Sequence, residues 1–221
     1  NLVFNYSKDV GVENDVDREL RGLFRELAFR KAVSYSIDRL AVGQSLVRGP
    51  FTHPWAGAFT SGSPWYDVKS INYLDYDKYH AMKLLDGLGI KDTDGNNVRN
   101  LPKTGKDIEI DMAYDSSESA DKKQVDAVTS MLGEVGIKII PKPYEELDAI
   151  LDAGNYNMAE FRHHWVVPAR QTCGYLPISA GCPDYHPVSE DGSRDLMGFE
   201  KEMVESVNKI LSTWDPKEGA A

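Results

Sequence analysis

Two cysteines in 221 residues, Cys173 and Cys182, exclude a scaffold built on disulfides; a chain of this length holds together by burying a core. Eight residues separate the pair. In an exported chain they could close a small loop worth about 2.5–3 kcal/mol of chain entropy. In a reducing compartment they would be two free thiols, and spacing alone leaves both readings open. No apolar run approaches the roughly 18 residues that a membrane span requires. Asn1-Leu2-Val3-Phe4 lacks a basic start and a long apolar stretch, so the N-terminus reads as mature or trimmed, without a signal peptide of its own. Basic charge is scarce: 25 Lys and Arg against 35 Asp and Glu leave −10, which argues against a nucleic-acid partner. No polybasic cluster points to an anionic membrane surface. Absent too are G-x-S-x-G, a phosphate-cradling glycine loop and H-E-x-x-H, so neither a catalytic residue nor a cofactor is expected.

What is present is periodic. Leu2, Phe4 and Tyr6 alternate with smaller or polar neighbours over Asn1–Ser7, a strand pattern. Val10–Asp17 is polar and reads as loop. Leu20, Leu23, Phe24 and Leu27 form one helical stripe, and Phe29, Val33, Ile37 and Leu40 form another out of phase with it, which predicts two helical segments with a break near Ala28. Gly49–Trp65, with three prolines, reads as an irregular loop; its Phe51, His53, Trp55, Phe59 and Trp65, with Tyr66, either pin that loop or offer stacking faces. Asp75 or Asp77 can cap a helix burying Ala81, Leu84, Leu85 and Leu88, with Gly89 to end it. Asp92–Asn96 starts like a calcium loop but fails at Asn97 and Lys103, and reads as a turn.

Ile108–Tyr114 then alternates as a strand, Val125, Val128, Leu132 and Val135 form a helical stripe, and Ile137–Ile140 is a strand followed by Pro141 and Pro143. Glu145–Ala153 is a short helix and Tyr156–Phe161 a third strand. This alternation predicts parallel strands joined by right-handed crossovers. Arg170–Asp195 reads as loop, and Leu196, Phe199, Met203, Val207, Ile210, Leu211 and Trp214 predict a final amphipathic helix.

Ligands of open α/β sheets collect at the carboxyl ends of the strands. Three segments fall there: Tyr114-Asp115-Ser116, Tyr144-Glu145 and Arg162-His163-His164-Trp165. Each combines hydrogen-bonding groups with an aromatic face, as a polar organic ligand needs; otherwise the aromatics are core and the serines merely cap. Successive strand residues face opposite ways, so His163 and His164 cannot share one metal, and a zinc set drawn from Cys173, Cys182 and His186 lacks the usual close pairs. No metal site is expected. A hydrolase using Asp115 or Glu145 with His164 is the enzyme alternative.

Phe29–Arg39 (FRKAVSYSIDR) resembles the helix signature of family 5 extracytoplasmic solute-binding proteins, the receptors of peptide-type ABC importers. The resemblance continues through Tyr76-Asp77-Lys78, Ala81–Gly89, Lys91–Gly95 and Ile137–Trp165, in the family's order, over roughly residues 1–165. It implies an α/β fold: one lobe of a type II periplasmic binding protein, with a mostly parallel sheet flanked by helices. Within that lobe, residues 1–7 would be the entry or hinge strand, 18–165 the core, 166–195 an irregular region and 196–214 the C-terminal helix. Such receptors are periplasmic or extracytoplasmic and not enzymes. They close two lobes on a solute and present it to a membrane permease. The N-terminal lobe and the last crossing segment would then be missing, making the chain a lobe-sized fragment. The binding set expected from the strand ends is Tyr114, Asp115, Ser116, Tyr144, Arg162, His163, His164 and Trp165, of which the resemblance points to His164 and Trp165; in such a receptor it would grip an oligopeptide or similar polar solute. Peptide-binding members carry an Asp ahead of a Pro after the equivalent of Trp165, to pair with the peptide's amino group. Here Trp165-Val166-Val167-Pro168-Ala169 has no acid, which brings forward an oligosaccharide as the alternative.

Overall fold

The computed structural model describes residues 2–46, 66–160 and 185–212, the side chains of 210 and 211 excepted. The Gly49–Trp65 loop, Arg162–Trp165, Cys173 and Cys182 lie outside those residues.

Asn14 opens the first helix. Its side chain accepts the Val16 and Asp17 N–H groups at 2.9 and 3.1 Å, so α1 runs Asp15–Arg25 and the polar stretch before it is loop only as far as Asn14. Glu26 is extended (ψ 122°) and breaks the chain between α1 and α2, Leu27–Tyr35. The phase shift in the apolar stripes records that break, two residues before Ala28. A second break follows at Ser36–Asp38, where the Asp38 carboxylate accepts the Ala41 N–H at 2.9 Å and starts α3, Arg39–Leu46. These two breaks correct the stripes: Leu20, Leu23, Phe24, Phe29, Val33 and Ile37 are core, whereas Leu27 and Leu40 are 55% and 48% exposed. Asp77 caps α4, Lys78–Gly87, through the His80 N–H.

The sheet is built on β2, Glu109–Asp115. On one side it pairs in parallel with β3, Lys138–Tyr144, and on the other with β4, Met158–Glu160. Antiparallel β1, Leu2–Phe4, completes the order β1-β4-β2-β3. The strand β3 continues through Pro141 and Pro143, beyond the stretch its alternation predicts. It is an edge strand, and the Lys138 N–H donates inward to Ile108 O, so the odd-numbered positions that follow turn their amides outward, where a proline nitrogen loses no ladder bond.

The crossovers α5 (Ser119–Gly133) and α6 (Leu147–Ala153) step in opposite directions from β2 and β3. Right-handed connections therefore put them on opposite faces. One face carries the main core: Phe4, Ile110, Met112, Tyr114, Ile139 and Met158 meet α1, α2, α4 and α5. The other carries a thinner one of Ala113, Ala159, Leu147, Leu151 and Tyr156. The final helix, α7 (Gly198–Ser212), buries Val207 but leaves Phe199 39% exposed and turns Glu200 fully inward.

Candidate functional site

Because β2, β3 and β4 are parallel, Asp115, Tyr144 and Glu160 all end on one edge of the sheet. Register pairs Asp115 directly with Tyr144, so their side chains share a face, while Tyr114 points the other way and is buried in the main core. The Ser116 N–H and hydroxyl both donate to Tyr144 O, at 2.9 and 3.1 Å, lacing the ends of β2 and β3 together. Asp115 accepts the Ser117 N–H and hydroxyl at 2.8 and 2.6 Å. The serines thus stabilise the turn ahead of α5 rather than its first turn; Glu118 stands at the N-cap without a side-chain cap bond. Of the proposed set, the structure brings Asp115, Ser116 and Tyr144 together and turns Tyr114 inward. Arg162, His163, His164 and Trp165 lie outside the described residues, although the chain reaches them directly from β4.

Glu160 was not legible as part of this edge. It is 1% exposed, pairs with Leu2, and lies two residues beyond Met112–Met158 in the register, on the same face as Tyr114. The available signal was a carboxylate in an otherwise apolar strand, two residues ahead of Arg162.

A groove of about 350 Å³ runs beside β1. Leu2, Phe4 and Val33 form its apolar lining, and Tyr6, Arg30 and Phe199 supply its polar and aromatic rim. The Arg30 guanidinium sits 5.4 Å from the centroids of both the Tyr6 and Phe199 rings and is held there by donation to Phe24 O and Arg25 O. Burial pushes the Tyr6 phenol above its ordinary value, against the pull of Arg30, so it keeps its proton and remains a donor. A shallower hollow of about 510 Å³ lies at the start of α4 beside Tyr73, Tyr76 and Tyr79. Both depressions combine aromatic faces with polar groups: Arg30 and Arg39 line the groove, and Asp75, Asp77 and Lys78 line the hollow. Among the described residues, no three His, Cys, Asp or Glu side chains are grouped to hold a metal ion, and no helix is long and apolar enough to cross a membrane.

Comparison with known proteins agrees on one family. Residues 1–183 match the family model described as bacterial extracellular solute-binding proteins, family 5 Middle. The chain is 31% identical over 232 residues to a periplasmic alpha-galactoside-binding protein of Rhizobium meliloti (strain 1021), across 99% of this chain and 33% of the relative. It superposes with a TM-score of 0.93, at 30% identity, on the periplasmic binding protein MelB from Agrobacterium fabrum C58, solved in complex with stachyose, across 100% of this chain and 34% of that one. With the oligopeptide-binding protein OppA it shares the fold, at a TM-score of 0.82 and 22% identity, across 99% and 37%. The chain therefore spans about a third of the length of these relatives, which are solute-binding proteins of the type II periplasmic fold. With its mostly parallel sheet, its motif series and a family match over residues 1–183, this chain belongs to the family 5 bacterial extracellular solute-binding proteins.

Proposed function

We propose that this chain is one lobe of an extracytoplasmic receptor that captures a neutral oligosaccharide of the galactoside type and hands it, unaltered, to an ABC permease. The observation carrying this reading is the likeness at 30% identity and TM-score 0.93, over the whole chain, to a binding protein solved with stachyose; the alpha-galactoside relative supports it independently. The sequence agrees. A sugar carries no ammonium group to neutralise, and the run Trp165–Ala169 offers no carboxylate for one. An oligopeptide anchored by its amino group would leave a buried charge unpaired.

In this reading, the contacts come from the carboxyl edge of the sheet: Asp115, Ser116 and Tyr144, and Arg162, His163, His164 and Trp165 beyond β4. Carboxylates and amides accept and donate to sugar hydroxyls, and aromatic faces cover the apolar side of the rings. The other lobe supplies the remaining contacts, and closure excludes water. No bond of the solute is broken.

Isothermal titration of the intact receptor with stachyose, raffinose and a panel of tri- to hexapeptides tests this. Saturable binding of the oligosaccharides, with none of the peptides, is expected. Tight peptide binding without sugar binding would overturn the reading. The isolated lobe makes only part of the contacts, so it should bind the same sugar far more weakly. Equal affinities would refute the one-lobe assignment.

A further inference from the structure

We propose that Glu200, His186 and Asp195 form a proton-dependent clasp that fastens α7 to the β1 and α1 side of the fold, with two protons held among the three side chains, one at each histidine–carboxylate contact. This assignment is independent of the sugar reading.

His186 and Glu200 are both fully buried. His186 Nδ1 lies 2.7 Å from Glu200 Oε1, and Nε2 lies 3.0 Å from Asp195 Oδ1. A neutral imidazole has one N–H, so with both carboxylates ionised one of these contacts would set a lone pair against an oxygen where water cannot intervene. A second proton, on the ring or on the carboxyl it faces, turns both contacts into hydrogen bonds.

The surroundings tie the cluster to the rest of the fold. The other oxygen of Glu200 accepts the Met197 N–H at 2.8 Å, at the start of α7. From α1, Arg25 pairs with Asp195 Oδ2 at 3.0 Å and also donates to Asp195 O and Tyr6 O. Lys8, between β1 and α1, lies 3.4 Å from the same carboxylate. From the segment itself, Arg194 Nε donates to His186 O. Just after β1, the Tyr6 ring meets the His186 ring edge-on at 6.5 Å, and Arg30 of α2 covers Tyr6 in turn. Burial tends to raise the Asp195 carboxyl, but the hydrogen bond from His186 and the Arg25 charge outweigh it and hold the group below its ordinary range. The clasp thus joins α7, the 185–197 segment and α1, and it anchors Tyr185 and Phe199, two walls of the groove beside β1.

An unfolded histidine gives up its proton near about pH 6.5. Above that pH, the folded cluster holds one proton more than the unfolded chain, so stability falls as pH rises, by about tenfold in the folding constant per pH unit, until the cluster releases it. The test is urea unfolding between pH 6 and 9 of the wild type and of Glu200→Gln. The glutamine amide can donate to Nδ1 and accept from Met197, which satisfies a neutral imidazole. The wild type is therefore expected to lose stability relative to this variant as pH rises, and calorimetry in two buffers of different ionisation enthalpy to show about one proton released on unfolding at pH 8 that the variant does not release. His186→Gln should abolish the same difference; if that variant does not fold, Glu200→Gln still decides. Parallel pH profiles for wild type and Glu200→Gln would overturn the clasp. So would ¹⁵N and ¹³C-carboxyl spectra at pH 7.5 showing His186 singly protonated with both carboxylates ionised.

Discussion

Removing the Glu19 carboxylate should cost more stability than most single changes in this chain. Glu19 sits on α1, 6% exposed. Its two oxygens accept the backbone N–H groups of Lys103 and Thr104 at 2.7 and 2.9 Å, from a loop 84 and 85 residues away in sequence. Both bonds have an ionised acceptor, and α1 would otherwise meet that loop with two unsatisfied donors. A hydrogen bond to a charged group contributes about 1.5–3 kcal/mol, and these two are partly buried, so Glu19→Ala should lose about 2–5 kcal/mol. Glu19→Gln keeps one acceptor oxygen and turns an amide N–H₂ toward the second donor, so it should lose about 1–3 kcal/mol. In urea, with a slope of about 2–3 kcal/mol per molar, the alanine variant should unfold roughly 1–2 M earlier, read by far-UV circular dichroism. An alanine variant within 0.5 kcal/mol of wild type (about the size of a neutral surface change) would refute the reasoning, because water would then be replacing the carboxylate.

Gly11→Ala should be severely destabilising: at φ +71° an added Cβ would stand 2.2 Å from Gly154 O, whereas Gly95→Ala, at φ +80° but facing open space, should cost only about 1 kcal/mol, as denaturant midpoints will show. Asp195 has a lowered native pKa, so its contribution is present above the ordinary aspartate value near about 3.9 and disappears as pH falls through the lower native value. The stability gap between wild type and Asp195→Asn should therefore close in acid unfolding below about pH 4. If the carboxyl edge binds the solute, Tyr144→Ala should weaken oligosaccharide binding to the intact receptor by about tenfold or more. Glu109→Ala, at the opposite end of β2, should leave that affinity unchanged by the same titration.

The strand–helix alternation from Ile108 to Glu160 was legible in the chain because a half-buried strand and an amphipathic helix print different periods: Ile110, Met112 and Tyr114 recur every second residue, and Val125, Val128 and Leu132 recur at helical spacing. The proline-bearing half of β3 was not legible, since two prolines read as a stop until the sheet order shows that β3 lies at an edge. Stripe membership misplaced Leu27 and Leu40 for a related reason. Periodicity assumes one unbroken axis, and Glu26 and Asp38 each start a new one. At the carboxyl edge, Asp115, Ser116 and Tyr144 followed from the crossover rule. Tyr114 carries the same chemistry, yet the pleat turns it to the opposite face.

By itself the sequence determined the family, through its series of motifs, and also the α/β class and the direction of the three parallel strands, which rest on local periodicity and on the handedness of short connections that neighbouring residues dictate. Only the tertiary structure decided which polar groups are inside. Nothing near Glu19, His186 or Glu200 in the chain marks them as buried. Each is tolerated there through partners supplied from elsewhere or by the element it belongs to, as Lys103 and Thr104 are for Glu19 and Asp195 is for His186. A buried charge depends on who meets it across space, and that is settled only when the layers have packed.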